Sequence, residues 1–309
     1  MKKAAALFVL TFAAGMPAFA QEAPPPPNRF AATEMASERF EAGVLAVERH
    51  GQRGRPLILI PGLASGSWVW QDAIRTLRND HVLYVVTLPG FDGRAPVPGN
   101  MLDAARNSLH QLIGSRKLAR PVLVGHSMGG TLALALAQQH PDLVGGVVAI
   151  DGLPVFPGTE DMAPEQRPQL ADGIVRRMAG LTPATFAGQQ RQYMRSIGVV
   201  DMARADELAK LTSRSDPAAT VHYMAAVMAQ DLRPGLAQIK APVLVMAPFL
   251  DLDAQDPNAT MQSKVAFYTE LMAGTPNLRV LGIPGARHFA MIDQPQRVTE
   301  ALQAFLKSL

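Results

Sequence analysis

The chain has no cysteine among its 309 residues. That absence removes a thiol nucleophile, a disulfide framework, cysteine-based metal ligation and any lipid carried on a cysteine. Charge is also sparse, at 18% of residues, and aromatic residues make up only 6%. No block of lysine and arginine occurs, and setting aside Lys2 and Lys3 leaves 27 basic against 26 acidic side chains. The electrostatic footprint of a nucleic-acid-binding protein is therefore missing. No apolar run reaches the roughly 18 residues that a membrane span needs. His, Asp and Glu do not cluster at metal-ligand spacing, and there is neither a G-x-G-x-x-G fingerprint nor a G-x-x-x-x-G-K-[ST] loop. No cofactor or metal is expected. Repeats of solenoid period are absent as well.

What is present begins with a segment that reads as an export signal. Lys2 and Lys3 precede an apolar core from Ala4 to about Ala14, and Ala18-Phe19-Ala20 supplies an A-x-A cleavage site. Cleavage after Ala20, and delivery to the periplasm or the medium, is the expectation; a fold without disulfides is compatible with that compartment. Residues 21–40, with the run Pro24-Pro25-Pro26-Pro27, read as an extended leader. Asn258-Ala259-Thr260 matches a glycosylation sequon, which chance explains in a chain with a bacterial style of signal.

The body alternates apolar strand-like runs with helical patterns, as a mostly parallel, doubly wound α/β sheet requires. Strands are expected near 43–49, 57–61, 82–88, 121–125, 146–151, 242–247 and 278–283, with a final amphipathic helix from about Gln294 to Leu309. The rhythm breaks between Leu153 and Lys240, where helices predominate and Thr182-Pro183 and Asp216-Pro217 read as helix starts. The expected organisation is a core of 41–152 and 241–309, with a helical cap over 153–240. The cap would roof the carboxyl ends of the strands, where ligands bind in open α/β sheets.

One pentapeptide carries chemistry. Gly125-His126-Ser127-Met128-Gly129 lies between the apolar run Pro121–Val124 and a helical stretch from Thr131 to Gln139. Strand, tight turn, helix is the setting in which G-x-S-x-G forms a nucleophile elbow with the serine exposed. A serine hydroxyl needs a histidine base and an acid that orients it. Of the seven histidines, His288 has the best address, in a loop between the strand Leu278–Gly282 and the last helix. His222 lies in a helical stretch with apolar neighbours, His140 ends the elbow's own helix, and His126 reads as a support beneath the elbow. For the acid, Asp251 is the first choice, one short loop beyond the run Pro242–Met246; Asp253 and Asp256 share that loop. Asp151, at the end of the strand Val147–Ile150, is the alternative acid.

Four segments together resemble the α/β-hydrolase superfamily, in its capped branch of serine esterases, lipases and aminopeptidases. They are Leu57–Leu63, Leu88–Gly93, Gly125–Gly130 and Gly285–Phe289, and the resemblance covers nearly everything after residue 40. It implies an α/β-hydrolase fold with a helical cap inserted after the sixth strand. It also implies an oxyanion hole made by the backbone N–H groups of Leu63 and Met128. Two departures stand out: the family's His-Gly appears as Pro61-Gly62, and its frequent G-x-x-D reads Pro248-Phe249-Leu250-Asp251.

Met162, Met178, Met194, Met202, Met224 and Met228, with Phe156, Phe186, Tyr193 and Tyr223, give the cap an apolar character. An uncharged ester is the expected small-molecule partner. The expectation is thus an exported serine hydrolase acting on carboxylic esters of apolar acyl or aromatic compounds. A serine aminopeptidase, amidase or lactonase is the alternative; Glu160, Asp161, Glu165, Asp206 and Glu207 are the cap carboxylates available to hold an ammonium. A catalytically silent ligand-binding protein on the same scaffold is the alternative from another class.

Overall fold

A computed structural model describes residues 30–32, 34–253 and 259–309. The signal-like segment, the proline run, Asp256 and Asn258 lie outside the described residues. Among the described residues, eight strands form one sheet: β1 (Glu38–Ala42), β2 (Leu45–His50), β3 (Pro56–Ile60), β4 (Val82–Thr87), β5 (Val122–His126), β6 (Gly146–Ile150), β7 (Val243–Phe249) and β8 (Leu278–Pro284). Their order across the sheet is β1-β2-β4-β3-β5-β6-β7-β8. The β1–β2 and β2–β4 pairs are antiparallel, and every pair from β4–β3 to β7–β8 is parallel. The helices are α1 (Gln71–Leu77), α2 (Met101–Ser115), α3 (Met128–Gln139), α4 (Arg167–Arg177), α5 (Pro183–Tyr193), α6 (Met202–Thr212), α7 (Pro217–Ala229), α8 (Met261–Leu271), α9 (Ala290–Asp293) and α10 (Pro295–Lys307).

The apolar runs become central strands because both faces are covered. Every residue of β5 and β6 is buried, as parallel strands between two helical layers must be. Strand periodicity then deals alternate residues to opposite faces. Ile58, Ile60, Leu123, Val147, Ala149, Val243 and Val245 join α2, α3 and α8 in one core. Leu57, Leu59, Val122, Val124, Val148, Ile150, Leu244 and Met246 join α1, α9 and α10 in the other. Each such valine, leucine, isoleucine or methionine contributes about 2 kcal/mol by leaving water. Residues Met128 to Ala137 of α3 are all buried, whereas α10 buries one stripe of Val298, Leu302, Phe305 and Leu306.

The first strand begins inside the stretch that the sequence suggests is leader. Glu38-Arg39-Phe40-Glu41 is too charged to read as a core strand, because it forms the sheet's edge, where charge discourages pairing with another chain. Arg116 fastens it, donating to Glu38 at 2.8 Å and lying 3.6 Å from the centroid of the Phe40 ring.

Between β6 and β7 the chain forms α4 to α7. Thr182 and Asp216 cap α5 and α7 by accepting from the N–H groups of Thr185 and Ala219, each just ahead of a proline in the first turn. The outgoing and returning ends of this insertion are held side by side by the Val155–Asp231 bridge and by Leu232 N–H donating to the Pro154 carbonyl at 2.8 Å. Arg167 is buried there, donating to the Thr159 carbonyl at 2.8 Å and to the Asp231 carboxylate at 3.2 Å. These partners offset the cost of burying its charge. No helix among the described residues is long and apolar enough to cross a membrane.

Candidate active site

Ser127 joins β5 to α3 with φ 51° and ψ −123°, a left-handed conformation that costs a non-glycine residue energy. Three hydrogen bonds hold it there. Its N–H donates to the Ile150 carbonyl at 2.9 Å, and its carbonyl accepts from Gly130 N–H at 2.8 Å and Thr131 N–H at 3.1 Å. Gly125 is required by the close approach of strand to helix, since a Cβ on it would lie 2.1 Å from the Gly129 carbonyl oxygen. A similar constraint explains Gly62, where a Cβ would stand 2.7 Å from His126 Nδ1. The neighbour that demands glycine at 62 is the elbow's own histidine, rather than a bound ligand.

His288 is carried by the loop that follows β8, and that loop is clamped to the helical insertion. A π turn at Met194–Gly198 continues α5. His288 N–H donates to the Ile197 carbonyl at 3.1 Å and Phe289 N–H to the Gly198 carbonyl at 2.9 Å. The Asp293 carboxylate accepts from Val200 N–H at 3.0 Å and from Arg287 N–H at 2.9 Å, bridging the same two segments.

The carboxylate that meets His288 is Asp151. Its Oδ2 lies 2.6 Å from His288 Nδ1; an ionised carboxylate only accepts, so Nδ1 carries a proton, and in the neutral ring Nε2 is the acceptor. Asp151 follows β6 directly with φ 50°, its N–H donating to the Met246 carbonyl of β7 at 2.9 Å. Burial alone would raise its pKa, but the hydrogen bond and charge of His288, the charge of Lys264 and the hydroxyl of Tyr268 outweigh burial and hold the carboxyl below its ordinary range. Tyr268 on α8 donates to Asp151 Oδ1. Nothing in the sequence distinguishes Tyr268 from an ordinary apolar-face residue of α8.

The sequence preference for Asp251 is corrected by the strand ends. β7 is expected to stop near 247, yet Pro248 and Phe249 continue it, paired with Ile283 and Pro284 of β8. The Phe249 carbonyl then accepts from Gly285 N–H at 2.8 Å. This extension carries Asp251 into an exposed 3₁₀ turn, Asp251–Asp253, past the level of the histidine. In that turn Asp253 pairs with Arg287 at 2.6 Å. His222 lies exposed on α7 and lines a different cleft, and His140 stacks on His110 with ring centroids 4.2 Å apart.

Ser127, His288 and Asp151 open onto one cavity of about 410 Å³, together with Leu63 and Met128. Its walls are Leu153, Val155, Phe156, Met224 and Val227, with Gln189, Gln190 and Tyr193 from α5 as polar members. Of the other cap residues singled out by sequence, Met194, Phe186 and Tyr223 are packed inside, and Met202 is exposed. Among the described residues, no group of three or more His, Asp or Glu is placed to hold a metal ion.

The sequence model of the alpha/beta hydrolase family matches residues 57–301. The chain belongs to that family. This α/β hydrolase is 25% identical over 266 residues to a pimeloyl-[acyl-carrier protein] methyl ester esterase of Yersinia enterocolitica, a match covering 82% of this chain and 94% of the relative. It is 29% identical over 286 residues to polyketide synthase ThaQ of Burkholderia thailandensis; that match covers 88% of this chain but spans only 13% of the much longer relative. A thermophilic esterase from Thermogutta terrifontis has a similar fold, with a TM-score of 0.69, 21% identity and coverage of 88% of this chain and 99% of that one. So does the enol-lactonase of Burkholderia xenovorans LB400, with a TM-score of 0.67, 20% identity and coverage of 85% and 96%.

One support of the hydrolase site is His126, the residue before the serine. It is fully buried, and its Nε2 lies 3.0 Å from the backbone carbonyl oxygen of His288. A carbonyl only accepts, so the imidazole donates and ties elbow to histidine loop. Burial, and then the nearby charge of His288, push its pKa down to about 3 from 6.5. Because the folded value is depressed, its contribution to stability is complete above 6.5 and is lost as pH falls from there towards 3. The expected slope in that window is about 1.4 kcal/mol per pH unit for this one proton. His126→Phe should flatten that part of a stability–pH profile measured by urea unfolding, while lowering stability at neutral pH by about 1–3 kcal/mol through the orphaned carbonyl.

Proposed function

We propose that this α/β hydrolase cleaves carboxylic esters of uncharged acyl or aromatic compounds through an acyl-serine intermediate. The observation that carries the reading is the meeting, on one apolar-walled cavity, of the strained Ser127 and the His288–Asp151 pair. His288 Nε2 accepts the Ser127 proton as the hydroxyl oxygen attacks the ester carbonyl. The backbone N–H groups of Leu63 and Met128 hold the developing oxyanion; each such donor is worth roughly 3 kcal/mol in the transition state. The leaving alcohol takes the proton from His288, and a water activated by the same imidazole releases the acid and restores the serine. Asp151 keeps the proton of His288 on Nδ1 and stabilises the imidazolium in both halves.

The pocket favours an ester over an amino-acid amide. None of Glu160, Asp161, Glu165, Asp206 and Glu207 lines the cavity, and Asp206 is engaged by Arg191 and Arg195. Among the described residues the only ionisable side chains lining the cavity are Asp151, His126, His288, Tyr193 and Tyr268, with no lysine, arginine or glutamate, so neutral acyl groups are preferred. Among the curated relatives are esters' own hydrolases, as the Yersinia protein's name states. The reading includes export to the periplasm or the medium, supported by the Lys2-Lys3 start, the apolar core and Ala18-Phe19-Ala20.

The test is a p-nitrophenyl ester series from acetate to palmitate, run beside labelling by a fluorophosphonate with the labelled peptide identified by mass spectrometry. Turnover with an optimum at short to medium chains, and label on Ser127, is the expected result. Protein that neither turns over any ester nor takes the label would be a ligand-binding protein on a hydrolase scaffold. Label without ester turnover would replace the ester assignment by an amide or lactone.

A further inference from the structure

We propose that Tyr268 is a positioning residue for the acid of this site: its hydroxyl, donated to Asp151 Oδ1, fixes the carboxylate so that Oδ2 is presented to His288 Nδ1. The inference rests on the triad reading above and adds a residue from α8, an element with no catalytic motif.

The geometry assigns each carboxylate oxygen one donor. Oδ2 takes His288 Nδ1–H at 2.6 Å, and Oδ1 takes the Tyr268 hydroxyl. Asp151 has a short side chain at a strand end, and rotation about its last bond would tilt or exchange the two oxygens. A donor whose oxygen is fixed by a packed ring removes that freedom, because the hydrogen bond weakens steeply when the carboxylate turns away from it. Tyr268 is itself buried, with 4% of its surface exposed, and its ring is set among the apolar residues beside Leu271 and Met272. Packing alone would be served as well by phenylalanine; the hydroxyl is explained by its acceptor.

The electrostatics agree with a donor that never releases its proton. Burial, and then the charge of Asp151, raise the Tyr268 hydroxyl well above its ordinary value. Lys264, one turn earlier on α8, lies with Nζ 5.5 Å from the Tyr268 ring centroid and favours the ionised carboxylate. The titratable groups that feel Asp151 are His288 from the loop after β8, Tyr268 and Lys264 from α8, Tyr193 from α5 and His126 from β5. Of these, Tyr268 and His288 hydrogen-bond to its two oxygens. Loss of the Tyr268 donor concentrates negative charge on the oxygen facing His288, so the imidazolium becomes easier to form.

The test compares Tyr268→Phe, Asp151→Asn and the double variant on the best p-nitrophenyl ester. Phenylalanine keeps the ring, and the melting temperature reports that the fold survives. For Tyr268→Phe, kcat should fall about tenfold with KM little changed, and the ascending limb of kcat/KM should move to higher pH by up to about one unit. In the Asp151→Asn background the same change should cost almost nothing, since no carboxylate is left to orient. Unchanged kcat and pH limb with a lowered melting temperature would reduce Tyr268 to packing and overturn the proposal. An equal loss in both backgrounds would overturn it too. Full activity in Asp151→Asn alone would instead bring down the triad reading on which it stands.

Discussion

Ser127→Ala should lower kcat on a p-nitrophenyl ester by roughly a million-fold while leaving the protein folded. In the proposed mechanism the loss is large because the Ser127 oxygen is the atom that forms the new bond. Stability should barely move. Alanine keeps the Cβ at φ 51°, so the backbone strain is unchanged, and the three hydrogen bonds that hold the turn are made by main-chain groups. What remains should be the part of catalysis owed to binding and to the proposed Leu63 and Met128 donors, about a thousand-fold over water in comparable sites. Single-turnover kinetics together with a thermal melt would check both halves of the statement. A variant that retained more than a few per cent of the activity would mean that another nucleophile is at work.

Asp151→Asn should cost about ten-thousand-fold in kcat, whereas Asp251→Asn should stay within about twofold of the parent. The amide that replaces Asp151 is nearly the same size, so the loss comes from protons rather than packing. If its NH₂ faces His288, Nδ1 must become the acceptor and the proton moves to Nε2, which can then no longer take one from Ser127. If its oxygen faces His288, the tautomer survives but the charge that stabilises the imidazolium is gone. Asp251 touches neither event, being exposed in the turn beyond β7. Steady-state kinetics on the purified pair of variants would decide, and equal losses in both would point to a distorted loop instead of a lost partner.

The reason that the two aspartates were hard to rank from sequence lies in the nature of the contacts. The elbow is local: a strand, five residues and a helix, with glycine demanded at fixed offsets by backbone approaching backbone. Such constraints are written in the chain itself, which is why Ser127 stands out and why β5, β6 and α3 are legible as apolar runs. The choice of acid depends instead on how far β7 stays zipped to β8, and two further residue pairs, Pro248 with Ile283 and Phe249 with Pro284, decide it. Proline at 248 argues against a continuing strand in a sequence reading, and tertiary context overrides it. The edge strand β1 was hidden for the opposite reason, since its charges serve the solvent side of an unpaired edge. Tyr268 gave no signal at all. Its position on α8 follows the apolar periodicity of a packed helix, and its hydroxyl acquires meaning only when β6 and α8 are brought together.

The clamp between the π turn and the histidine loop bears on how this enzyme class can be re-engineered. Hydrolases of one fold are attractive for module exchange, in which the roof of one is grafted on the base of another to transfer selectivity. Here the natural seam is in the wrong place for that. Residues 194–200 belong to the roof by sequence, yet their carbonyl groups and the Val200 N–H anchor the loop that bears His288. A graft cut at the bridge between Val155 and Asp231 would remove those anchors and leave His288, the proposed general base, untethered, so a chimera should lose turnover before it could display a new preference. Retaining Met194 to Val200 with the recipient keeps the chemistry and leaves α4, α7 and the first turns of α5 as the exchangeable surface.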